Sequence, residues 1–139
     1  MKAMVLIASL VFVPCVILVS AQGQTTLDGV YTEAQAARGE AVYKTSCAGC
    51  HQADLSGDGQ TPSLAGKEFN GDWIDQSLGD LFDRTRISMP ADKPGSLTPA
   101  AVADVIAFLL NKAKFPAGQS ELPSDLAALK AIKFVGPKP

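Results

Sequence analysis

The sequence has little from which to build a nucleic-acid surface. Its 12 Lys and Arg stand against 14 Asp and Glu, a formal net charge of −2, so no cationic excess is left to neutralise phosphates. Aromatic residues are scarce at 6%. A small domain gains only modest stability from burying its own side chains, and a bound group that adds apolar volume would help. At 139 residues, 47% hydrophobic and 19% charged, the chain is too short for a multidomain enzyme and too apolar for a disordered tail, which leaves one small domain. Internal repeats, low-complexity tracts and alternating strand patterns are missing, and the remaining reading is all-α. Histidine occurs once, as His51, and methionine three times, as Met1, Met4 and Met89.

At the N-terminus Met1-Lys2 precedes an apolar run from Ala3 to Ser20, followed by Val19-Ser20-Ala21 at the expected cleavage positions. This reads as a secretory signal over residues 1–21, which would deliver residues 22–139 to the periplasm. The alternative is an uncleaved anchor that holds the domain on the periplasmic side of the membrane, because the run approaches the roughly 17–25 residues that span a bilayer. Pro14 argues against lipidation of Cys15. With the signal removed, Cys47 and Cys50 remain as an even pair in a compartment that permits disulfides.

Residues 22–30 read as an extended arm. Thr32-Glu33-Ala34-Gln35 has the form of a capping box in which Thr32 and Gln35 serve the free amides of a first turn. The helix it opens runs to about Ser46, with Ala34, Ala37, Ala41 and then Val42 or Tyr43 as its apolar face. Gly39 inside it costs about 1 kcal/mol against Ala and predicts close approach by another helix. Residues 53–66 read as loop. A middle helix is expected from Asp72 to about Arg86, with Trp73, Leu78, Leu81 and Phe82 inward, then a loop from Ile87 to Leu97. Thr98-Pro99 opens a helix with an apolar stripe of Val102, Val105, Ile106, Leu109 and Leu110 that ends near Lys112. The expected domain spans 31–114. Its tail, 115–139, packs on it through a short helix from Ser124 to about Ile132, with Leu126 and Leu129 as the docking face.

The chemistry sits in Cys47-Ala48-Gly49-Cys50-His51. On a helical turn positions i, i+3 and i+4 share a face, so two thiols and an imidazole project together. Each thiol can add to a porphyrin vinyl group while the imidazole reaches the iron, which is haem c. A zinc site would need a fourth ligand drawn from the carboxylates. A dithiol redox motif would need a βαβ context, and a plain disulfide would leave His51 without a role. Once Met1 and Met4 leave with the signal, Met89 is the methionine available as second axial ligand, with lysine or an open site as alternatives and core filling as its ordinary use. Asp54, Ser56, Asp58 and Gly59 imitate the opening of a calcium loop, yet Ala65 stands where a bidentate Glu is needed. Asp72, Asp75, Asp80 and Asp83, offset by Arg84 and Arg86, read as a solvated helix face.

Residues 31–112 resemble a monohaem, class I cytochrome c of the His/Met-ligated kind. The likeness is carried by Gly39, Tyr43, Cys47 to His51, Pro62-Ser63-Leu64-Ala65-Gly66, Trp73, Met89-Pro90 and Asp104 to Leu109. It implies a small cytochrome c fold, three main helices around one covalent haem c, plus the short C-terminal helix. In such proteins the haem would be joined to Cys47 and Cys50, its iron ligated by His51 and Met89. The resemblance further implies that the Pro62 carbonyl orients the His51 ring, that Leu64 packs against the haem, and that Gly39 and Tyr43 meet Val105 and Phe108. Trp73 is a candidate donor to a propionate. The implied role is single-electron transfer rather than catalysis. The alternatives are a haem enzyme or redox or gas sensor with a labile sixth site, or a permanent haem subunit of a dehydrogenase or oxidase complex. The Tyr31–His51 segment and the Leu122–Phe134 tail are similar to cytochrome domains that accompany bacterial quinoprotein dehydrogenases, which implies such a donor, with a terminal oxidase or another cytochrome as acceptor.

Overall fold

The structure is a computed structural model and describes residues 23–136. The signal expected over residues 1–21, with Cys15, Met1 and Met4, lies outside the described residues. Six helices follow in order among those described: α1 Glu33–Ser46, α2 Ala48–His51, α3 Gly66–Trp73, α4 Leu78–Ser88, α5 Pro99–Lys112 and α6 Leu126–Lys130. There is no strand among them, only isolated bridges that pair Lys133 with Thr25 and with Ser77. None of the helices is long and apolar enough to cross a membrane.

Thr32 caps α1 by accepting from the Gln35 amide at 3.1 Å, but the other half of the expected capping box does not form. The Gln35 side chain turns to the tail instead, donating to the Leu122 carbonyl at 2.9 Å and accepting from its amide at 2.7 Å, all of it buried. The buried face of α1 is also rotated from the expected one. Gln35, Ala36, Gly39 and Tyr43 face inward, while Ala34, Ala37 and Ala41 are exposed. Alanine is tolerated on either side of a helix, so its spacing left the face undetermined, and what fixes it is how closely α5 approaches. A methyl at Gly39 would overlap the Asp104 carbonyl and press on the Phe108 Cβ. One turn on, the Tyr43 and Phe108 rings lie 5.1 Å apart. The expected meeting of Gly39 and Tyr43 with α5 is thus present at Asp104 and Phe108.

The middle helix expected from Asp72 begins only at Leu78, as α4, while Asp72 and Trp73 end a separate helix, α3, that the sequence reading did not anticipate. α3 ends at Trp73, Ile74 turns extended, and Ser77 opens α4 with a complete capping box to Asp80. The tail occupies the corner between them: Asp75 donates to the Phe134 carbonyl, Phe134 to Gln76, and Leu78 to Ile132, at 2.8–3.1 Å. Asp75 takes a left-handed φ of 67° there. Leu78, Leu81 and Phe82 are buried as expected, whereas Trp73 is only half-buried.

α5 begins at Pro99 behind the Thr98 cap and ends at Lys112, as its apolar stripe predicts. α6 is shorter than the expected Ser124 to about Ile132 and is capped by Asp125. Leu122, Leu129, Ile132 and Phe134 of the tail are buried, and Phe134 packs edge-on against Phe69 of α3 and Phe115. The N-terminal arm is held rather than free. Thr26 donates from its amide to Lys133 and from its hydroxyl to Val135, which joins both ends of the described chain.

Candidate functional site

α1 ends at Ser46, and Cys47 starts a single further turn, its carbonyl accepting from the Cys50 and His51 amides at 3.1 and 2.9 Å. That turn carries both thiols and the imidazole. Cys47 is half-buried and Cys50 exposed, and their sulfurs are not joined. Burial pushes the Cys47 thiol above its ordinary pKa. His51 is 6% exposed, and its Nδ1 lies 2.9 Å from the Pro62 carbonyl. A carbonyl can only accept, so Nδ1 is the donor here, and Nε2 is the nitrogen that the neutral ring would offer to a metal.

The chain leaves His51 by a left-handed residue, Gln52 at φ 65°. Its carbonyl accepts from the buried Tyr43 hydroxyl at 2.7 Å. Burial raises the Tyr43 pKa to about 12, with Cys47 and Asp54 adding to the effect, so the phenol remains a donor at any ordinary pH. Tyr43 therefore couples the α1–α5 crossing to the residue after His51, a link that the sequence did not signal.

Leu64 lies two residues beyond Pro62. Its amide donates to Leu55 at 2.9 Å, and its half-buried side chain packs on the core. Met89 belongs to another element, as the extended residue that ends α4, with φ −122° and ψ 150°. It is half-buried, and its sulfur has no hydrogen bond among the described residues. The structure therefore brings Cys47, Cys50, His51, Pro62 and Leu64 into one local unit and places Met89 on a separate element.

The donor set fits a haem. No three His, Cys, Asp or Glu side chains among the described residues converge to hold a metal by themselves. An imidazole with one nitrogen committed, two unjoined thiols on its turn and an unengaged thioether suit a group that brings its own iron and four equatorial nitrogens. Leu64, Ala65, Trp73 and Leu97 are apolar yet only partly buried. On α3, one turn before Trp73, the Asn70 Oδ1 is buried with no hydrogen-bond partner, the kind of atom that a bound polar group or water satisfies.

Residues 34–109, which take in Cys47 to His51, Pro62, Leu64 and Met89, match the family model described as cytochrome c oxidase, cbb3-type, subunit III. Cytochrome c-551 of Bacillus subtilis (strain 168) is 36% identical over 70 residues, 50% of this chain and 60% of that protein. The chain thus spans about three-fifths of the length of this curated relative.

Proposed function

The chain belongs to the cytochrome c family and carries a covalent haem c, and from that premise we propose that it is a periplasmic carrier of single electrons rather than an enzyme. When bound, the haem supplies a one-electron ferric/ferrous couple. Cys47 and Cys50 would hold it through thioether bonds, and His51 would ligate its iron through Nε2. The observation that carries this reading is the 2.9 Å contact of His51 Nδ1 with Pro62 O: it commits one nitrogen as a donor and fixes the ring so that the other faces a single direction.

Met89 is the second ligand in this reading. A thioether favours ferrous iron and raises the potential relative to two imidazoles. With His51 and Met89 both supplied by the fold, the iron would keep the same protein ligands in its two oxidation states, and little would need to rearrange on electron transfer. Partners bind through a small interface that releases readily. The donor we place among quinoprotein dehydrogenases on the likeness of the Tyr31–His51 segment and the tail, and the acceptor among terminal oxidases or other cytochromes.

A reversible potentiometric titration with a one-electron slope is the test, together with Met89→Ala. That variant should keep its pigment, bind carbon monoxide when reduced, and titrate at a lower potential by at least about 59 mV, a tenfold change in the ferrous-to-ferric ratio. A wild-type ferrous protein that binds carbon monoxide readily at neutral pH would contradict the carrier reading.

A further inference from the structure

We propose that Asp58 is a positioning residue for the proximal imidazole, because it closes the turn that delivers the Pro62 carbonyl to His51. The proposal rests on ligation of haem iron by His51. Asp58 Oδ1 accepts from the Thr61 amide at 2.7 Å and the Gln60 amide at 3.1 Å, and the Asp58 amide donates to the Thr61 carbonyl at 3.2 Å. Residues 58–61 are thereby locked by one carboxylate oxygen, and Pro62 follows directly.

Gly57 backs this turn. It has φ +68°, and a methyl there would overlap the Thr61 carbonyl and lie 2.9–3.0 Å from the Pro62 carbonyl carbon and oxygen. Its amide donates to the His51 carbonyl at 3.1 Å. On the far side, the Ser63 hydroxyl and the Leu64 amide both bond the Leu55 carbonyl, at 3.0 and 2.9 Å. A circuit therefore runs from the His51 main chain through Gly57 and the Asp58 turn to Pro62, and back to the His51 ring. Asp58 touches neither the imidazole nor any group that the imidazole touches except through the main chain. Asp58, one of the residues that imitate the opening of a calcium loop, thus has a different use.

A carbonyl accepting from Nδ1–H makes the imidazole a stronger donor and favours ferric iron. Releasing the Asp58 turn should weaken that bond and raise the potential. Four variants, each as the haem-loaded protein, separate acceptor geometry from charge. Asp58→Ala loses the acceptor, and Asp58→Glu keeps the charge but displaces it. Both should raise the ferrous-to-ferric ratio at fixed potential by roughly three- to tenfold, tenfold being about 59 mV. Both should also speed exchange of the His51 Nδ1 proton in the reduced, diamagnetic protein. Asp58→Asn keeps an Oδ1 acceptor suited to this turn and should match wild type. So should Asp54→Ala, which removes an equal charge and a similar bond, to the Ser56 amide, from the same loop.

Potentials that sort by charge would overturn the proposal: Asp58→Ala, Asp58→Asn and Asp54→Ala shifted together, with Asp58→Glu at the wild-type value. So would unshifted potentials and exchange in every variant. A wild-type protein whose haem is not ligated by His51 would overturn the functional reading along with this one, and is detected before any variant is compared.

Discussion

A methyl group at Gly39 has nowhere to go. It would add about 1 kcal/mol of helix propensity, yet it would overlap the main-chain carbonyl of Asp104, and a helix backbone yields far less readily than a flexible side chain. Overpacking of this kind costs about 1–3 kcal/mol or more, so the clash outweighs the propensity. Gly39→Ala should lower the stability of the haem-loaded protein in urea by about 1–2 kcal/mol, the clash less the propensity gained, with the slope unchanged. A gain in stability would mean that α1 and α5 do not cross at this residue. The cost of Gly39 was legible in the sequence because a glycine in mid-helix calls for a compensating contact. The Cys47–His51 turn was legible because ligand spacing and helix period coincide. Gln35 was not: its part in a capping pattern and its actual bonds to Leu122 use the same amide, and only the path of the tail decides between them.

At the scale of elements, the α3–α4 corner shows how a local signal can be lost inside a longer pattern. Leu78, Leu81 and Phe82 carry a helical spacing into which Trp73 also falls, but Ser77 to Asp80 is itself a start signal. Asp80 there accepts from the Ser77 hydroxyl at 2.6 Å and the Ser77 amide at 3.0 Å, and pairs with Lys130 of α6 at 3.2 Å. The Ser77 bonds, with Lys130 adding to them, hold its carboxyl below the ordinary aspartate value. A folded-state pKa below the unfolded one means that the unfolded chain binds more protons, so the stabilisation is complete above about pH 4 and is lost as pH falls through the folded value. Thermal melts of wild type and Asp80→Asn should therefore differ most at neutral pH and converge as the pH drops below about 4. A difference that persists unchanged into acid would show that the carboxylate charge plays no part in joining α4 to α6. The acids expected to form a solvated face keep 40–79% of their side-chain surface exposed where they pair, Asp75 with Lys133, Asp80 with Lys130 and Asp83 with Arg86, the last being the offset expected from the sequence.

Across the whole molecule, two seams of different legibility hold the fold. The α1–α5 crossing follows from the apolar stripe of α5 and the small residues of α1. The second seam joins the tail to the arm, to α1 and to the α3–α4 corner through Thr26, Gln35, Asp75 and Gln76. It is made mostly of main-chain groups, which leave no mark on residue type. Arg38 spans both, bonding Asp104 of α5 at 3.1 Å and Glu121 of the tail at 2.9 Å. Within this frame His51 is turned by Pro62, and all the chemistry assigned to the protein depends on a porphyrin attached to the turn that carries it. The most direct measurement is the intact mass of the purified protein after denaturation and acid extraction, beside that of Cys47→Ala/Cys50→Ala. The wild-type chain should retain the mass and colour of one haem and the double variant should lose both; a colourless wild-type chain at the bare polypeptide mass would contradict the account.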